Sequence, residues 1–287
     1  AAARSVSAVD WRCGETGRDS DGQSSRTVDT AGVPRGETCR AMVFLGLTRP
    51  NPASRRVAMD HGASRGYNYP EPHVGATRRA PHAPSNDGVV GWRPADGPLA
   101  SVPYARDATF VEIGRGAGDY ARAKGMMRRW GHFQLGWSEV APDTGVKEGD
   151  LVCVCANVAG VWIRNPLRVV YAEEEAGPGR RGGGAGGKND GHAAANGSPG
   201  DDVKDRFSFA HGCLGGHLLA GEESFILERR SDDSVWYGVR TFSRPAHPLA
   251  LASYPIVRVL QRRFARDSTR AMAEGMAEGG SGGVRRA

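Results

Sequence analysis

Two hydrophobic periods share this chain, and the handover between them limits what it can fold into. Over residues 235–243 Val235, Tyr237 and Val239 fall on one side of a strand, with Trp236, Arg240 and Phe242 on the other. A period of two marks a strand lying in a sheet. Asp232-Asp233, between this run and the apolar run before it, is the turn signal of a hairpin. Ser253 with Pro255 then signals a helix start. Beyond it Ile256, Leu260 and Phe264 recur every four residues, a buried stripe on a helix that Gly275 would stop. A sheet leading into a long helix buries both apolar surfaces by packing one on the other.

Further strands are expected near residues 133–140, 151–156, 161–171 (interrupted by Asn165-Pro166), 206–211 and 223–230. Upstream, Phe110 and Ile113 bracket a short strand, and Tyr120, Ala123, Met127 and Trp130 mark an amphipathic helix by their spacing of three and four. The fold class expected is α+β: a curved antiparallel sheet with a short N-terminal helix and a long C-terminal helix. That order resembles the helix-grip folds of START and Bet v 1 proteins, which hold apolar ligands between sheet and helix. An architectural analogy of this kind informs function only weakly.

Composition adds boundaries. Of 287 residues 41 are Gly and 17 Pro, with 39% hydrophobic and 24% charged, which fits one folded domain diluted by tracts that bury little. Residues 1–41 carry six Arg against six acids and no apolar period, so disorder is expected there, without the acid-poor look of a transit peptide or the apolar core of a secretory signal. The native start is expected at Met42. Residues 173–204 hold ten Gly and almost nothing apolar, a disordered insertion, and 276–287 read as a disordered tail. The domain thus runs over 42–275. No apolar run reaches the roughly 18 residues of a membrane-spanning helix, and the strands are too few and short for a membrane barrel.

The five cysteines do not form a disulfide framework. Cys153 and Cys155 alternate in an apolar run, which puts both on one face of a strand, and no second Cys/His pair follows at zinc spacing. Cytosol, or alternatively a plastid stroma, suits such thiols better than secretion.

The block Gly215-Gly216-His217-Leu218-Leu219-Ala220-Gly221-Glu222-Glu223-Ser224-Phe225 is followed by Trp236-Tyr237, Phe242-Ser243-Arg244-Pro245 and Gln261-Arg262-Arg263-Phe264-Ala265-Arg266. This ordered set resembles the uncharacterised protein family UPF0548, a domain of unknown function. Tyr69-Pro70-Glu71 and Val74-Gly75-Ala76-Thr77 look like that family's opening signature. Gly114-Arg115-Gly116, Tyr120, Ala123-Lys124 and Trp130-Gly131-His132-Phe133 look like its first strand and helix, and Val169-Val170-Tyr171 like its central strand. Met42-Val43-Phe44-Leu45 with Arg49-Pro50 resembles the plant-type members in particular. The likeness covers roughly residues 42–272, and departs at Cys213, where the family usually has a Thr. It implies no known activity.

Four constellations are candidates for function. His217 with Glu222 or Glu223 could serve as an acid–base pair, with Gly216 and Gly221 permitting tight backbone on either side. Trp236, Tyr237, Phe242 and Tyr254, with His217, could line a cavity for a small apolar or amphipathic ligand. Arg258, Arg262, Arg266 and Arg270 form a basic stripe with Arg263 beside it, fit to dock an anionic membrane surface or an acidic protein. Nucleic acid is disfavoured, because interleaved aromatics and RNA-binding signatures are missing. His211, Cys213 and His217 lack a fourth metal ligand, so no metal is expected. No cofactor is expected either: Gly114-x-Gly116-x-Gly118 has the wrong spacing for a dinucleotide fingerprint and reads as a strand-to-helix bend. A binding module is the leading expectation, with an enzyme and a peripheral docking protein as alternatives.

Overall fold

The computed structural model describes residues 42–79, 88–90, 103–176 and 202–280. The expectations for residues 1–41, for 177–201 of the Gly-rich segment and for 281–287 lie outside the described residues. In chain order come strand β1 (Phe44–Gly46), helix α1 (Pro52–Arg65), and 3-10 turns at Glu71–His73 and Ala76–Arg79. Strands β2 (Gly88–Val90) and β3 (Ala105–Arg115) lead into helix α2 (Gly116–Arg128) and a 3-10 turn at Gly131–Phe133. Then follow β4 (Ser138–Glu139), β5 (Leu151–Val158), β6 (Val161–Ala176), β7 (Val203–Cys213), β8 (Leu219–Arg230), β9 (Ser234–Pro245), and helices α3 (Pro248–Ala252) and α4 (Tyr254–Gly280).

The strands form one antiparallel sheet in the order β2-β3-β9-β8-β7-β6-β5-β4, with β1 added on β6. From β4 to β9 it is a meander, and β3 returns to pair with the last strand. The sheet curls into a half-barrel, and its concave face receives α4 and α2. This is the α+β, helix-grip-like arrangement expected from the element order.

Alternation along the strands sorts the core into two layers. On the concave face Phe209, Phe225, Leu227, Tyr237 and Val239 meet Met127 and Trp130 at the end of α2, and Phe264, Met272 and Met276 of α4. Each large side chain buried here contributes about 1.5–3 kcal/mol. On the convex face Phe110, Ile226, Trp236 and Phe242 pack with Tyr69 and Tyr104, while Cys153 and Cys155 lie with Phe44 and Ala58 beneath α1. Gly238 lets the Phe110 ring lie flat on β9; a Cβ there would sit 2.1 Å from two ring carbons.

Several elements differ from their sequence signals, each for a local reason. Periodicity does not mark α1; its signal is Asn51-Pro52, with the Asn51 side chain accepting the Ser54 N–H at 2.8 Å and Pro at the first helical position. The strand expected near 133–140 shrinks to β4, preceded by the turn at Gly131–Phe133. Strand β6 is not broken at Pro166. That residue falls between Arg164, where β1 stops pairing, and Leu167, where β7 begins, so its missing N–H interrupts no ladder on that side.

The Gly-rich segment is shorter than 173–204, because Glu173–Glu175 pair with β7 and Glu174 bonds Lys124 at 2.5 Å and Arg128 at 3.2 Å. Gly275 does not stop α4. It is a packing residue, since a Cβ there would meet the Met126 methyl at 2.3 Å. The helix runs on to Gly280 and buries Met276, so the first residues of the expected tail are helical.

Candidate functional site

Between the concave face and helices α3 and α4 lies a cavity of about 400 Å³. Its walls are apolar: Val154, Ala156 and Val158 of β5, Ile163 of β6, and Leu260 and Phe264 of α4. Its floor is polar. His211 on β7, Glu223 on β8 and Thr241 on β9 stand opposite one another across the three strands, so one row of side chains crosses the sheet there. Its mouth is edged by side chains that water does not favour. Leu249 and Ile256 line it while 47% and 59% exposed, and Leu251 and Val259 nearby are 68% and 63% exposed. Ile256 is therefore not part of a buried stripe, as its spacing with Leu260 and Phe264 suggested.

The floor holds a different acid–base pair from the one the sequence brings to mind. His211 Nε2 lies 3.2 Å from Glu223 Oε2, and His211 is buried against Trp130, Phe133 and Phe225. Its Nδ1 has no hydrogen-bond partner among the described residues. His217 lines the cavity from the turn before β8, where its Nδ1 accepts the Leu219 N–H at 2.9 Å. Burial and the nearby His211 push the His217 pKa down to about 3, so the ring is neutral. With Nδ1 accepting, the ring proton of the neutral form sits on Nε2. His217 bonds neither Glu222 nor Glu223 among the described residues.

Glu222 is separated from His217 by the sheet itself. Successive side chains on β8 point to opposite faces, so Glu222 emerges on the convex side. There it accepts from Tyr69 Oη (3.2 Å), Gly75 N (2.8 Å), Thr77 N (3.0 Å) and Thr77 Oγ1. Because Thr77 spends its proton on the carboxylate, Tyr171 Oη donates to Thr77 Oγ1 at 3.0 Å. Two motifs quoted separately above, Tyr69 to Thr77 and Gly221-Glu222-Glu223, thus meet as one buried clamp. Burial still holds the Glu222 carboxyl above its ordinary pKa against the pull of these donors. Gly221, with φ +147° and no room for a Cβ 2.0 Å from the Phe242 carbonyl oxygen, sets the strand close enough for this to work.

None of the aromatic candidates presents its ring to the cavity. Phe242 borders it, but its ring packs on the convex side, 5.9 Å from Tyr69 and 5.0 Å from Tyr104. Trp236 is convex core, its Nε1 donating to Ser234 Oγ at 2.8 Å under the Arg230 guanidinium. Tyr237 is buried beside α4, bonded to Ser268 Oγ at 2.8 Å, and Tyr254 begins α4 without lining the cavity. Period two places Tyr237 correctly on the concave face, but α4 covers it. The lining residues that spacing missed, His211 and Glu223 together, belong to different strands and are joined only by register.

The basic stripe is paired in part within the molecule. Arg258 pairs with Asp107 at 2.7 Å, while Arg263, Arg266 and Arg270 gather at 3.2–3.5 Å around Asp267, which also accepts from Trp137 Nε1 at 3.0 Å. Arg262 is exposed and forms no ion pair among the described residues. The Gly114-x-Gly116-x-Gly118 bend is self-contained: Asp119 of α2 accepts the Arg115 N–H at 2.9 Å at the helix start. Cys153, Cys155 and Cys213 are free buried thiols, and burial pushes the Cys213 thiol, which borders the cavity, above its ordinary pKa. Among the described residues no group of three His, Cys, Asp or Glu is placed to hold a metal ion, and no helix is long and apolar enough to cross a membrane.

Comparison with known proteins places the chain without assigning it an activity. A domain of unknown function (DUF1990) matches residues 89–271. A UPF0548 protein of Arabidopsis thaliana is 31% identical over 231 residues, 80% of this chain and 97% of that protein. One of Deinococcus radiodurans is 46% identical over 69 residues, 24% of this chain and 35% of that protein. One of Dictyostelium discoideum is 26% identical over 174 residues, 58% of this chain and 70% of that protein. No solved structure matches, so the helix-grip description rests on element order and sheet topology. The chain belongs to the UPF0548 family.

Proposed function

We propose that this UPF0548 member is a binding module for a small amphipathic molecule held between its sheet and α4. The observation that carries this reading is the cavity of about 400 Å³ with apolar walls, a polar floor and an apolar mouth. Its size lies within the roughly 300–1,000 Å³ usual for small-molecule sites. The module is a single domain from residue 42 through the end of α4, with the Gly-rich segment inserted between β6 and β7, working in the cytosol or a plastid stroma where its buried thiols stay reduced. Mass spectrometry of small molecules extracted from natively purified protein tests the reading. An amphiphile enriched with wild type and lost with the cavity-filling Ala156→Trp supports it; extracts that are the same for both sink it.

A second reading is favoured by the mouth. Leu249, Leu251, Ile256 and Val259 are exposed beside Arg262, which suits docking of this end on an anionic membrane surface from which a ligand enters. Flotation with vesicles of phosphatidylglycerol checks it: binding that survives Leu251→Ser, Val259→Ser and Arg262→Ser together excludes this surface. For acid–base chemistry the pair within hydrogen-bond reach is His211 with Glu223, rather than His217 with Glu222 or Glu223.

A further inference from the structure

The cavity floor carries information about the head of its ligand, an inference that rests on the binding reading above. Among the described residues Glu223 is the one carboxylate whose side chain belongs to the concave floor; Glu222, though it borders the same cavity, turns its carboxylate to the far face. No Lys or Arg among the described residues lines the cavity. The hydrogen bond to Glu223 comes from His211, which leaves the second carboxylate oxygen, Oε1, as an acceptor without a partner among the described residues. His217 offers the opposite group. Its Nδ1 is occupied by the Leu219 N–H, so Nε2–H is a donor.

A head that satisfies both must accept one hydrogen bond and donate another. A hydroxyl does so. A carboxylate head would be a second anion placed beside Glu223 in an apolar enclosure without a cation, which burial and like charge both oppose. An ammonium head could bond Glu223 but has no lone pair for His217 Nε2–H.

We propose that the site selects neutral, hydroxyl-headed amphiphiles, with Glu223 accepting from the hydroxyl and His217 Nε2–H donating to it. With about 30 Å³ per packed small group, the cavity suits a chain of roughly ten carbons plus its head.

Displacement of the neutral fluorophore N-phenyl-1-naphthylamine at pH 8 by 1-decanol, decylamine and decanoate tests this on the full chain. The expected result is decanol at least ten-fold tighter than decanoate and tighter than decylamine. Glu223→Gln, which keeps an acceptor and removes the charge, is expected to leave decanol within about three-fold and to narrow the gap to decanoate by at least about three-fold, the cost of burying the carboxylate head remaining. Decanoate or decylamine binding as tightly as decanol to the wild type overturns the head-group assignment, and so does an unchanged gap in Glu223→Gln. The wild-type comparison stands alone should that variant fold poorly. Binding of all three chains that is lost in Ala156→Trp, but without head preference, leaves the cavity reading standing and removes this one. Failure of every probe to bind removes both.

Discussion

Glu222 and Glu223 are neighbours in the chain and opposites in the molecule. Glu222 accepts four hydrogen bonds on the convex face and is sealed beneath Tyr69 and Thr77. Glu223 bonds a single imidazole and faces a cavity. A buried carboxylate saturated with donors is committed to holding the fold, because any partner removed is left unpaired in an apolar setting. One that keeps an open acceptor toward a cavity can be satisfied by something that enters. Two identical side chains one residue apart can therefore have unrelated roles, and the hydrogen-bond inventory separates them where residue type cannot.

The largest effect expected from this contrast is on stability at the convex clamp. Glu222→Ala strands two backbone N–H groups and two hydroxyls, and is expected to cost about 4 kcal/mol, or roughly 10 °C in Tm. Thermal unfolding measures it, and a loss under a couple of degrees would break the structural half of the comparison.

Next comes the difference between packed and open parts of the concave face. Leu227 is fully buried, whereas Leu260 borders the cavity. Leu227→Ala is expected to cost about 3–4 kcal/mol and Leu260→Ala about 1–2, since the second enlarges a space that already exists. Equal losses in urea unfolding would mean that the cavity closes in solution.

Acid sharpens the picture through His132, another concave-face residue, stacked on Trp130 with both ring nitrogens unpaired among the described residues. Burial, with His211 nearby, depresses its pKa from 6.5 to about 3. Between those values the unfolded chain binds a proton that the folded chain does not. Stability contributed by the neutral ring is therefore full above pH 6.5 and is lost as pH falls toward 3, at up to about 1.4 kcal/mol per pH unit. At pH 5 the expected loss from this ring is about 2 kcal/mol, and His132→Phe should roughly halve the pH dependence of unfolding between about pH 7 and 4.5, the remainder coming from His217, whose pKa is lowered to the same extent. An unchanged slope would show that this ring is not buried neutral.

The smallest effect is at Glu223. Glu223→Gln is expected to shift stability by less than about 1 kcal/mol, because the amide still accepts from His211 and its other end meets the cavity. A loss as large as that of Glu222→Ala would erase the distinction between the two carboxylates.

Sequence by itself determined what is local. The period of two along 235–243 placed Tyr237 and Trp236 on opposite faces, the switch to a period of four announced α4, Asp232-Asp233 marked the β8–β9 turn, and the ordered motifs pointed to the family. The same rule already implied that Glu222 and Glu223 face opposite ways, and so that both could not serve His217. Tertiary structure alone decided partners. That His211 meets Glu223, that Tyr69 and Thr77 close on Glu222 some 150 residues away, and that Arg258 of the stripe finds Asp107 of β3 all depend on register and docking between distant segments. Gly275 shows the same limit: as a residue type it reads as a stop, yet the thioether of Met126 makes it a point of helix contact. Hydrophobic period is a property of one element, set by its own geometry. Which polar groups are satisfied, and which are left open to a cavity, depends on what another element brings within about 3 Å.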